Sequence, residues 1–300
     1  MVKNLDVAVI GNVGIDTNVY FHSGEPDFSR ESNFTENLDC VGQAGGYASR
    51  GYAQLGKRAA FIGCVGDDFS GHFIREEFAR DGVDTTALFI DPAGTSRSVN
   101  FMYGDGRRKN FYDGKSHMQL QPDRVVCRSV LAQARLAHFN IPNWARQLLP
   151  IAKELGVRIA CDLQDVVTLR DGYREDFIND ADVVFFSTAN QPDPNPLIEE
   201  LLQWKPSLIV VAGRGAAGCA LGTRDGIRYF EPVTMNAPVI DTNGAGDGLA
   251  VGFLSSYVLD GYSLEASVRR GQIAARYTCT QKASSSQLIT TEIMRHYFER

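Results

Sequence analysis

Residues 238–259, PVIDTNGAGDGLAVGFLSSYVL, join a run of small loop residues directly to an apolar helical pattern. The stretch predicts a strand that ends near Ile240, a glycine loop at residues 244–246, and a helix that runs to about Leu259. The loop would present backbone N–H groups at the helix N-terminus. Unpaired donors and the helix dipole stabilise an anion at such a place.

Asp247 lies on the first turn of this predicted helix, so its carboxylate projects toward the same anion site. A carboxylate repels an anion, but it can accept the proton of a hydroxyl on which an anionic group is being formed. Backbone donors at Gly244, Ala245 and Gly246 beside a base at Asp247 suit phosphoryl transfer to an alcohol. The residues alone equally permit a structural role, in which Asn243 or Asp247 only caps the helix.

Upstream of this loop, short apolar runs with the length of buried strands alternate with segments of helical spacing. The runs are residues 6–11, 59–66, 136–141, 157–163, 182–187 and 207–213. This alternation predicts an α/β fold, a three-layer α/β/α sandwich with a mainly parallel sheet. We expect a single domain over residues 1–300, with ligands bound beyond the carboxyl ends of the strands.

Residues 17–41 and 95–116 break this alternation with aromatic-rich segments around turn signals. In the second segment, YGDGRR (103–108) is a predicted turn between the strands SVNFM (98–102) and KNFYD (109–113). We interpret the two segments as a small β lid that closes over a substrate, the alternative being two ordinary surface excursions. Aromatic residues on the lid predict a partly exposed face and a homodimer through the lids; they are Tyr20, Phe101, Tyr103, Phe111 and Tyr112.

Composition and charge exclude several classes of function. The net charge of −6 argues against binding of nucleic acid or of an acidic membrane surface. No apolar run of the sequence approaches the roughly 18 residues of a membrane-spanning helix. The six cysteines and five histidines are scattered, which predicts reduced thiols and no zinc site. We expect a cytoplasmic protein.

The motif DTNGAGD (241–247) closely resembles the C-terminal signature of the PfkB, or ribokinase-like, family of carbohydrate kinases. AVIGNVGIDTNVYF (8–21) resembles the first strand of that family, and residues 41–71 resemble its N-terminal signature. The resemblance spans nearly the whole chain. It implies a ribokinase-like fold, a sugar acceptor, and ATP with Mg²⁺ as cofactors. Asp247 would be the catalytic base and the loop from Gly244 to Gly246 the anion hole.

The resemblance also assigns ligand-binding residues. Asp16 would contact hydroxyls of the acceptor, and other residues would line the same pocket, namely Asn12, Gly42, Gln43 and Tyr47. LIVVAGRGAAGCAL (208–221) resembles the segment that touches the ATP phosphates, which places Gly213, Gly215 and Gly218 near the nucleotide. The family often binds a monovalent cation at the start of its C-terminal motif. Asp241 and Thr242 are the matching candidates for K⁺.

Two departures from the family pattern affect these assignments. Members usually carry a Gly-Gly pair and an Asn where this chain has Gly42, Gln43 and Tyr47. Because these positions contact the substrate, the resemblance does not decide whether the acceptor is the usual furanose. After the fifth predicted strand, members carry Asn-x-x-Glu, which organises Mg²⁺ through water; here the residues are Ser187 and Asn190. Asn140 also stands where many relatives have Glu. Ser and Asn oxygens still suit hydrated Mg²⁺, with less negative charge. We therefore expect an active kinase with an altered pocket and metal shell.

The expected acceptor pocket, residues 11–18 and 42–47, contains no Lys or Arg. A buried phosphate requires cationic partners, so the sequence predicts an unphosphorylated sugar or sugar-like acceptor. We interpret the run from Arg107 to Lys109 as a solvated part of the hairpin turn. The alternatives are a nucleoside kinase whose lid aromatics stack on a base, and a non-catalytic regulator that binds a sugar or nucleotide.

Overall fold

The computed structural model describes residues 3–166, 168 and 172–299. Within these ranges the strands are β1 Leu5–Ile10, β2 Gly14–Phe21, β3 Thr35–Gly42, β4 Ala59–Val65, β5 Asp84–Ile90, β6 Ser96–Met102, β7 Arg108–Asp113, β8 Ala134–Asn140, β9 Arg158–Asp165, β10 Val183–Ser187, β11 Ile209–Gly213, β12 Cys219–Thr223 and β13 Gly226–Phe230. The α-helices are α1 Gln43–Gln54, α2 Phe69–Asp81, α3 Arg124–Leu131, α4 Leu149–Glu154, α5 Glu175–Asp180, α6 Asn195–Trp204, α7 Ala245–Leu254, α8 Leu264–Thr278 and α9 Thr291–Phe298.

The central sheet has the strand order β13-β12-β11-β10-β9-β8-β1-β4-β5. From β5 to β11 the neighbouring strands are parallel, and β12 and β13 add an antiparallel edge. Each of the six predicted apolar runs overlaps one of the parallel strands. The predicted α/β sandwich with a mainly parallel sheet is confirmed.

Two apolar cores cover the two faces of this sheet. One core includes Phe139, Trp144 and Phe177 and lies under α3 to α6. The other includes Phe61 and Phe253 and lies under α1, α2, α7, α8 and α9. Because both faces are buried, the parallel strands read as continuous apolar runs instead of alternating ones. None of the helices in the described ranges is long and apolar enough to cross a bilayer.

A second, smaller sheet has the order β3-β2-β6-β7, and we call it the small sheet. Its strands come from the two segments that break the βα alternation, and β6 and β7 form the predicted hairpin. β2 and β6, which lie far apart in sequence, pair in parallel, and β2 and β3 pair antiparallel. The predicted segments 17–41 and 95–116 therefore contain most of this sheet.

The prediction of a strand that ends near Ile240 is wrong, because residues 231–244 form no strand. Pro232 and Pro238 lack the N–H that a ladder requires, and Val239 is half exposed. The amide of Ile240 donates instead to the carbonyl oxygen of Cys279 at 2.8 Å, just after α8. The helix prediction holds: α7 begins at Ala245 and continues into one π-helical turn, Ser255–Leu259.

Candidate active site

The glycine loop forms the N-terminal end of α7. Gly244 precedes the helix with a φ of 75°, a left-handed conformation that glycine adopts without strain. A Cβ at this position would also come within 2.8 Å of the Tyr47 ring. Around Gly246 there is no heavy atom within 4 Å of where a Cβ would lie. The Ala245 amide donates to the carbonyl oxygen of Thr242 at 3.3 Å, and the other amides of the first turn border space that an anion can fill.

Asp247 lies on the first turn of α7, and its Oδ1 is buried without a hydrogen-bond partner in the described part of the chain. Burial raises the pKa of this carboxyl well above its usual value, and the charge of Asp162 raises it further, whereas Arg108 opposes the shift. A carboxylate with a raised pKa is a better proton acceptor. Position and pKa both suit a catalytic base.

Asp162, near the end of β9, is a site residue that the sequence reasoning missed. Its side chain is buried, and its Oδ1 accepts the amide of Gln164 at 2.9 Å. Burial, and then the charge of Asp165, raise the pKa of Asp162 to about 6. The sequence signal was a carboxylate at the end of a predicted strand. That Asp162 faces Asp247 depends on the packing of α7 on the sheet, which no local pattern displays.

Ser187 and Asn190 lie at and beyond the end of β10, beside Asp165. Ser187 pairs in register with Asp165, and its Oγ accepts the amide of Ala189 at 3.2 Å. Asn190 Nδ2 donates to Asp165 Oδ2 at 3.0 Å. The structure therefore places a carboxylate, Asp165, directly beside Asn190.

The oxygen-rich neighbourhood of Asp162 fits a hydrated Mg²⁺ ion. Asn140 pairs in register with Asp162, is 3% exposed, and has no partner for either side-chain amide atom within the described ranges. Mg²⁺ binds oxygen ligands, keeps several waters and commonly shares phosphate oxygens. The described residues contain no group of three or more acidic, His or Cys side chains that could hold a metal by themselves. This donor set suits an ion shared with the phosphates of a nucleotide.

The acceptor side of the site is a hydrogen-bonded group of three buried side chains. Asp16 Oδ2 accepts Tyr47 Oη at 3.1 Å and Asn243 Nδ2 at 2.9 Å, and Asn243 Nδ2 also lies 2.9 Å from Tyr47 Oη. Burial raises the pKa of Asp16, and the hydrogen bonds from Asn243 and Tyr47 oppose that shift. Asp16 Oδ1 has no partner among the described residues. It is the acceptor that remains for a substrate hydroxyl.

Gly42 and Gln43 shape the wall beside Asp16. A Cβ at Gly42 would collide with the Asp16 carboxyl, so the close approach requires glycine. Gln43, where the family has glycine, has a φ of 61°. Its Oε1 accepts the Ser96 hydroxyl at 3.3 Å, and its Nε2 is buried without a partner in the described part of the chain. A strained residue is thus retained at the pocket, which is typical of a functional position.

The small sheet faces this site with alternate side chains, which we call its inner face. Asp16, Asn18 and Tyr20 of β2 point to this face, because Asp16 and Tyr20 contact the main body. By register, the inner face also carries residues of β6 and β7, namely Ser98, Asn100, Met102, Arg108, Asn110 and Tyr112. Asn110, Asn100 and Asn18 form a row of side-chain hydrogen bonds of 2.8 and 3.0 Å. The inner face is therefore mainly polar.

Asn12 and Tyr112 connect the main body to β7. Asn12 Nδ2 donates to the Tyr112 hydroxyl at 2.8 Å. Phe21, Phe101 and Phe111, by contrast, stack edge to face on the outer face, with ring centroids 5.3 and 5.2 Å apart. Of the lid aromatics named from the sequence, Tyr20 and Tyr112 thus point inward, and Phe101 and Phe111 point outward. A dimer through the outer face stays a prediction.

Arg108 differs from the other cations that could serve the pocket. Arg50 is locked by Glu77 at 2.9 Å and Asp81 at 2.5 Å, and Arg107 pairs with Asp105 at 2.6 Å. Arg97 points outward to Thr17 and Asp39, with distances of 3.4 and 3.7 Å.

Arg108 has no hydrogen bond or ion pair with any described residue, and it lies on the inner face. Its charge lowers the pKa values of Asp16, Asp241 and Asp247 against the raising effect of burial. Arg107, Arg108 and Lys109 are all exposed, as the interpretation of a solvated charge run requires, and Arg108 is the cation among them that the strand register places on the inner face.

The predicted nucleotide glycines lie after β11. Gly213 packs against Leu249 of α7, and a Cβ added to this glycine would lie 3.4 Å from the Leu249 side chain. Gly215 has a φ of 55° and open space around it. Gly218 has a φ of 84°, and a Cβ there would collide with the carbonyl oxygen of Phe230. Backbone packing alone therefore explains Gly218, whereas Gly215 borders open space.

Asp241 and Thr242, the predicted cation ligands, both bond to other parts of the protein. Asp241 is fully buried and accepts the Tyr20 hydroxyl at 2.7 Å and the Asn243 amide at 2.7 Å. The Thr242 hydroxyl donates to the carbonyl oxygen of Gly106 in the β6–β7 turn at 3.1 Å. The segment that leads into the glycine loop is thus held by the small sheet.

Comparison with known proteins identifies this arrangement. The model of the pfkB family of carbohydrate kinases matches residues 5–291. The chain belongs to this family. It is a sugar kinase, a phosphotransferase with an alcohol group as acceptor, and the family implies ATP as phosphoryl donor. The predicted family membership and enzyme class are confirmed.

Two relatives align over nearly the full length of the kinase. The acarbose 7(IV)-phosphotransferase of an Actinoplanes species is 31% identical over 294 residues, which are 96% of this chain and 97% of that protein. The 5-dehydro-2-deoxygluconokinase of Lacticaseibacillus casei is 25% identical, over 100% of this chain and 97% of that protein. Both relatives are named for phosphorylating sugars or sugar derivatives.

Solved structures agree with the fold. The microbiome-derived acarbose kinase Mak1 superposes with a TM-score of 0.88 at 28% identity, over 99% of both chains. Ribokinase from Arabidopsis thaliana, in complex with ribose and ATP, superposes with a TM-score of 0.82 at 18% identity, over 100% of both chains. At that lower identity the second likeness concerns the fold alone.

Proposed function

We propose that this kinase transfers the γ-phosphate of ATP to a hydroxyl of an unphosphorylated sugar or sugar-like acceptor, with Mg²⁺. The observation that carries the proposal is the composition of the acceptor side. Asp16, Tyr47 and Asn243 offer carboxylate, phenol and amide groups there, whereas Arg50, Arg97 and Arg107 are paired elsewhere. Such groups suit neutral hydroxyls.

The reaction begins when Asp247 accepts the proton of the attacking hydroxyl. The hydroxyl oxygen forms a bond to the γ-phosphorus as the bond to the β,γ-bridging oxygen breaks, and ADP leaves. The first-turn amides after Gly244 stabilise the charge on the transferring group. Asp16 orients the acceptor through Oδ1, which has no partner within the described ranges.

Mg²⁺ neutralises phosphate charge when it is bound with ATP. Asp162, Asp165 and Asn190 would hold its hydration shell, with Ser187 and Asn140 close by. Gly213 and Gly215 border the nucleotide on the β11 side, where Gly215 leaves room for a phosphate or ribose.

The small sheet acts as the lid in this proposal, and Arg108 is its contribution to catalysis. Its charge acts on the carboxyls of both Asp16 and Asp247, the two residues that orient and deprotonate the acceptor in this proposal. We assign Arg108 to the transferring phosphoryl group because a cation there offsets negative charge that develops in transfer.

Nucleoside phosphorylation is the less favoured candidate. The inner face carries two aromatic rings, Tyr20 and Tyr112, and both already have partners: the Tyr20 hydroxyl donates to Asp241, and the Tyr112 hydroxyl accepts a hydrogen bond from Asn12. The remaining positions of that face are mainly amides and hydroxyls. A base would find little to stack on, whereas a polyhydroxylated acceptor would find many partners.

The test is an ADP-release assay over acceptors of different classes. Free sugars, acarbose, 5-dehydro-2-deoxygluconate, sugar phosphates and nucleosides are compared by kcat/KM. We expect an unphosphorylated sugar or sugar derivative to be the best acceptor. A sugar phosphate or a nucleoside as the best acceptor would contradict the proposal.

Arg108→Ala separates two roles of this cation in the same assay. If Arg108 serves the transferring group, kcat falls for every acceptor, by about tenfold or more for one lost charge-assisted contact. If Arg108 recognised an anionic acceptor, the loss would be confined to sugar acids or sugar phosphates. Lys109→Ala, on the outer face of the same strand, is the matched control.

A further inference from the structure

Tyr20 of the small sheet occupies the place where a cation at Asp241 would bind. Its hydroxyl donates to Asp241 Oδ2 at 2.7 Å and accepts the amide of Ala283 at 2.8 Å. Asp241 Oδ1 accepts the amide of Asn243 at 2.7 Å. The carboxylate is fully buried, so no solvent reaches it. Both of its oxygens therefore already hold protein donors.

The carbonyl oxygens around Asp241 also have donors. The carbonyl oxygen of Cys279 accepts the amides of Ile240 and Asp241, at 2.8 and 3.3 Å. The carbonyl oxygen of Asn243 accepts the Ser284 hydroxyl at 2.6 Å, and that of Ser285 accepts Arg50 Nη1 at 2.9 Å. A bound K⁺ ion needs several oxygen acceptors directed at one point. Here the groups directed at Asp241 are donors.

The contact between Tyr20 and Asp241 also has protein cations as neighbours. The Lys282 ammonium lies 5.1 Å from the centre of the Tyr20 ring and pairs with Glu36 of β3. Arg108 faces Asp241 from β7. A further cation at Asp241 would meet repulsion from Arg108.

We propose that the Tyr20 hydroxyl takes the place of a monovalent cation at Asp241, so that the kinase turns over without K⁺. Tyr20 is a positioning residue: it holds Asp241 and, through it, the loop that leads to Gly244. The proposal reverses the expectation of a K⁺ site at Asp241 and Thr242. Because Tyr20 lies on the small sheet, docking of that sheet and ordering of the glycine loop become one event.

The first test is the salt dependence of the unaltered enzyme. Its kcat is measured in tetramethylammonium chloride, NaCl and KCl at equal ionic strength, and we expect no difference among the three. Activation by K⁺ would overturn the proposal. This arm rests on the proposed kinase function, but it needs no variant that might fail to fold.

The second test is Tyr20→Phe, which keeps the ring and frees one oxygen of Asp241. The freed oxygen of Asp241 then lacks its donor and holds the loop that leads to Gly244 less firmly, so we expect about a tenfold fall in kcat in tetramethylammonium chloride. K⁺ should restore part of the loss, because it can now bind the freed oxygen. Tyr103→Phe, in the β6–β7 turn, contacts Arg107 instead of Asp241 and should behave as wild type in every salt.

A thermal measurement needs no substrate. The melting temperature of Tyr20→Phe should rise with KCl relative to tetramethylammonium chloride, and that of the wild type should not. An equal deficit of Tyr20→Phe in all salts, in both kcat and melting temperature, would make Tyr20 a merely structural residue and refute the replacement. If no acceptor is phosphorylated, the proposed function fails while this measurement still decides the inference.

Discussion

The acceptor side of the site, around Asp16, and the phosphate side, around Asp247, differ in whether the protein itself supplies partners for the carboxylate. On the acceptor side, Asp16 receives hydrogen bonds from Tyr47 and Asn243, so folding alone holds it in place. On the phosphate side, the charge of Asp162 raises the pKa of Asp247, and Asp247 Oδ1 has no partner within the described ranges. The acceptor side is preorganised by the protein, whereas the phosphate side awaits the nucleotide and its metal ion.

The largest expected effect comes from removing the base on the phosphate side. Asp247→Asn keeps the size of the side chain and should lower kcat by about 10²-fold or more, with little change in binding. Since burial and Asp162 disfavour the ionised form, the variant should melt no lower than wild type near neutral pH. Asp225→Asn, an exposed carboxylate in the β12–β13 turn, is the control. Near-normal turnover of Asp247→Asn would break the assignment.

Gly244→Ala tests whether the loop tolerates any side chain. The left-handed backbone costs about 1–2 kcal/mol, and the new Cβ would press on Tyr47, which couples the loop to the acceptor side. We expect a fall in kcat of about tenfold or more together with a lower melting temperature. Gly156→Ala, at a φ of 62° with open space around it, should lower the melting temperature alone. Equal kinetics for the two variants would contradict the role of the loop.

Asp162→Asn sharpens the comparison through two readouts. The Mg²⁺ concentration for half-maximal activity should rise about tenfold, as when a residue that supports metal binding is lost. The pKa of Asp247 should fall, because one cause of its elevation is removed. Turnover needs the ionised form of Asp247, so kcat/KM falls as the pH falls through the pKa of this residue. In the Asp162→Asn variant, the acid limb of the pH profile of kcat/KM should therefore move to lower pH. An unmoved limb would show that Asp162 does not act on Asp247.

Tyr112→Phe should have the smallest effect, because it removes one hydrogen bond from the acceptor side. We expect KM for the acceptor to rise by about two- to fivefold at unchanged kcat, the equivalent of a single neutral hydrogen bond. Phe111→Leu, on the outer face of the same strand, should leave KM unchanged. An equal rise in both variants would mean that the sheet, not the contact with Asn12, sets the affinity.

Sequence reasoning reached the parts of the site whose signal is local. The glycine loop, the helix behind it and the β6–β7 hairpin follow from turn residues and apolar spacing. Residues 233–240 misled it: they are apolar enough for a strand, but the proline at 238 and the contact of Ile240 with Cys279 favour an irregular segment.

What the sequence could not display is which distant residues meet. Asp162 acts on Asp247 because α7 packs against β10, the strand next to β9 in the sheet. Arg108 faces the site because strand register, not composition, decides which side of β7 points inward. Tyr20 was predicted as part of a partly exposed aromatic face, yet its hydroxyl donates a hydrogen bond to Asp241 of the main body. Each of these contacts joins segments that lie far apart in the chain.

The order along the chain of the small sheet and of the residues on which it docks has a consequence for biosynthesis. All four strands of the small sheet precede residue 114, whereas the residues on which it docks, Asp241, Asn243 and Ala283, emerge from the ribosome much later. Until those residues have been synthesised, the sheet has no partner for its inner face, and its row of asparagine side chains stays uncovered. Long waiting times with exposed strand edges favour mispairing between nascent chains. We therefore expect docking of the small sheet to be a late folding step and the one most dependent on chaperones.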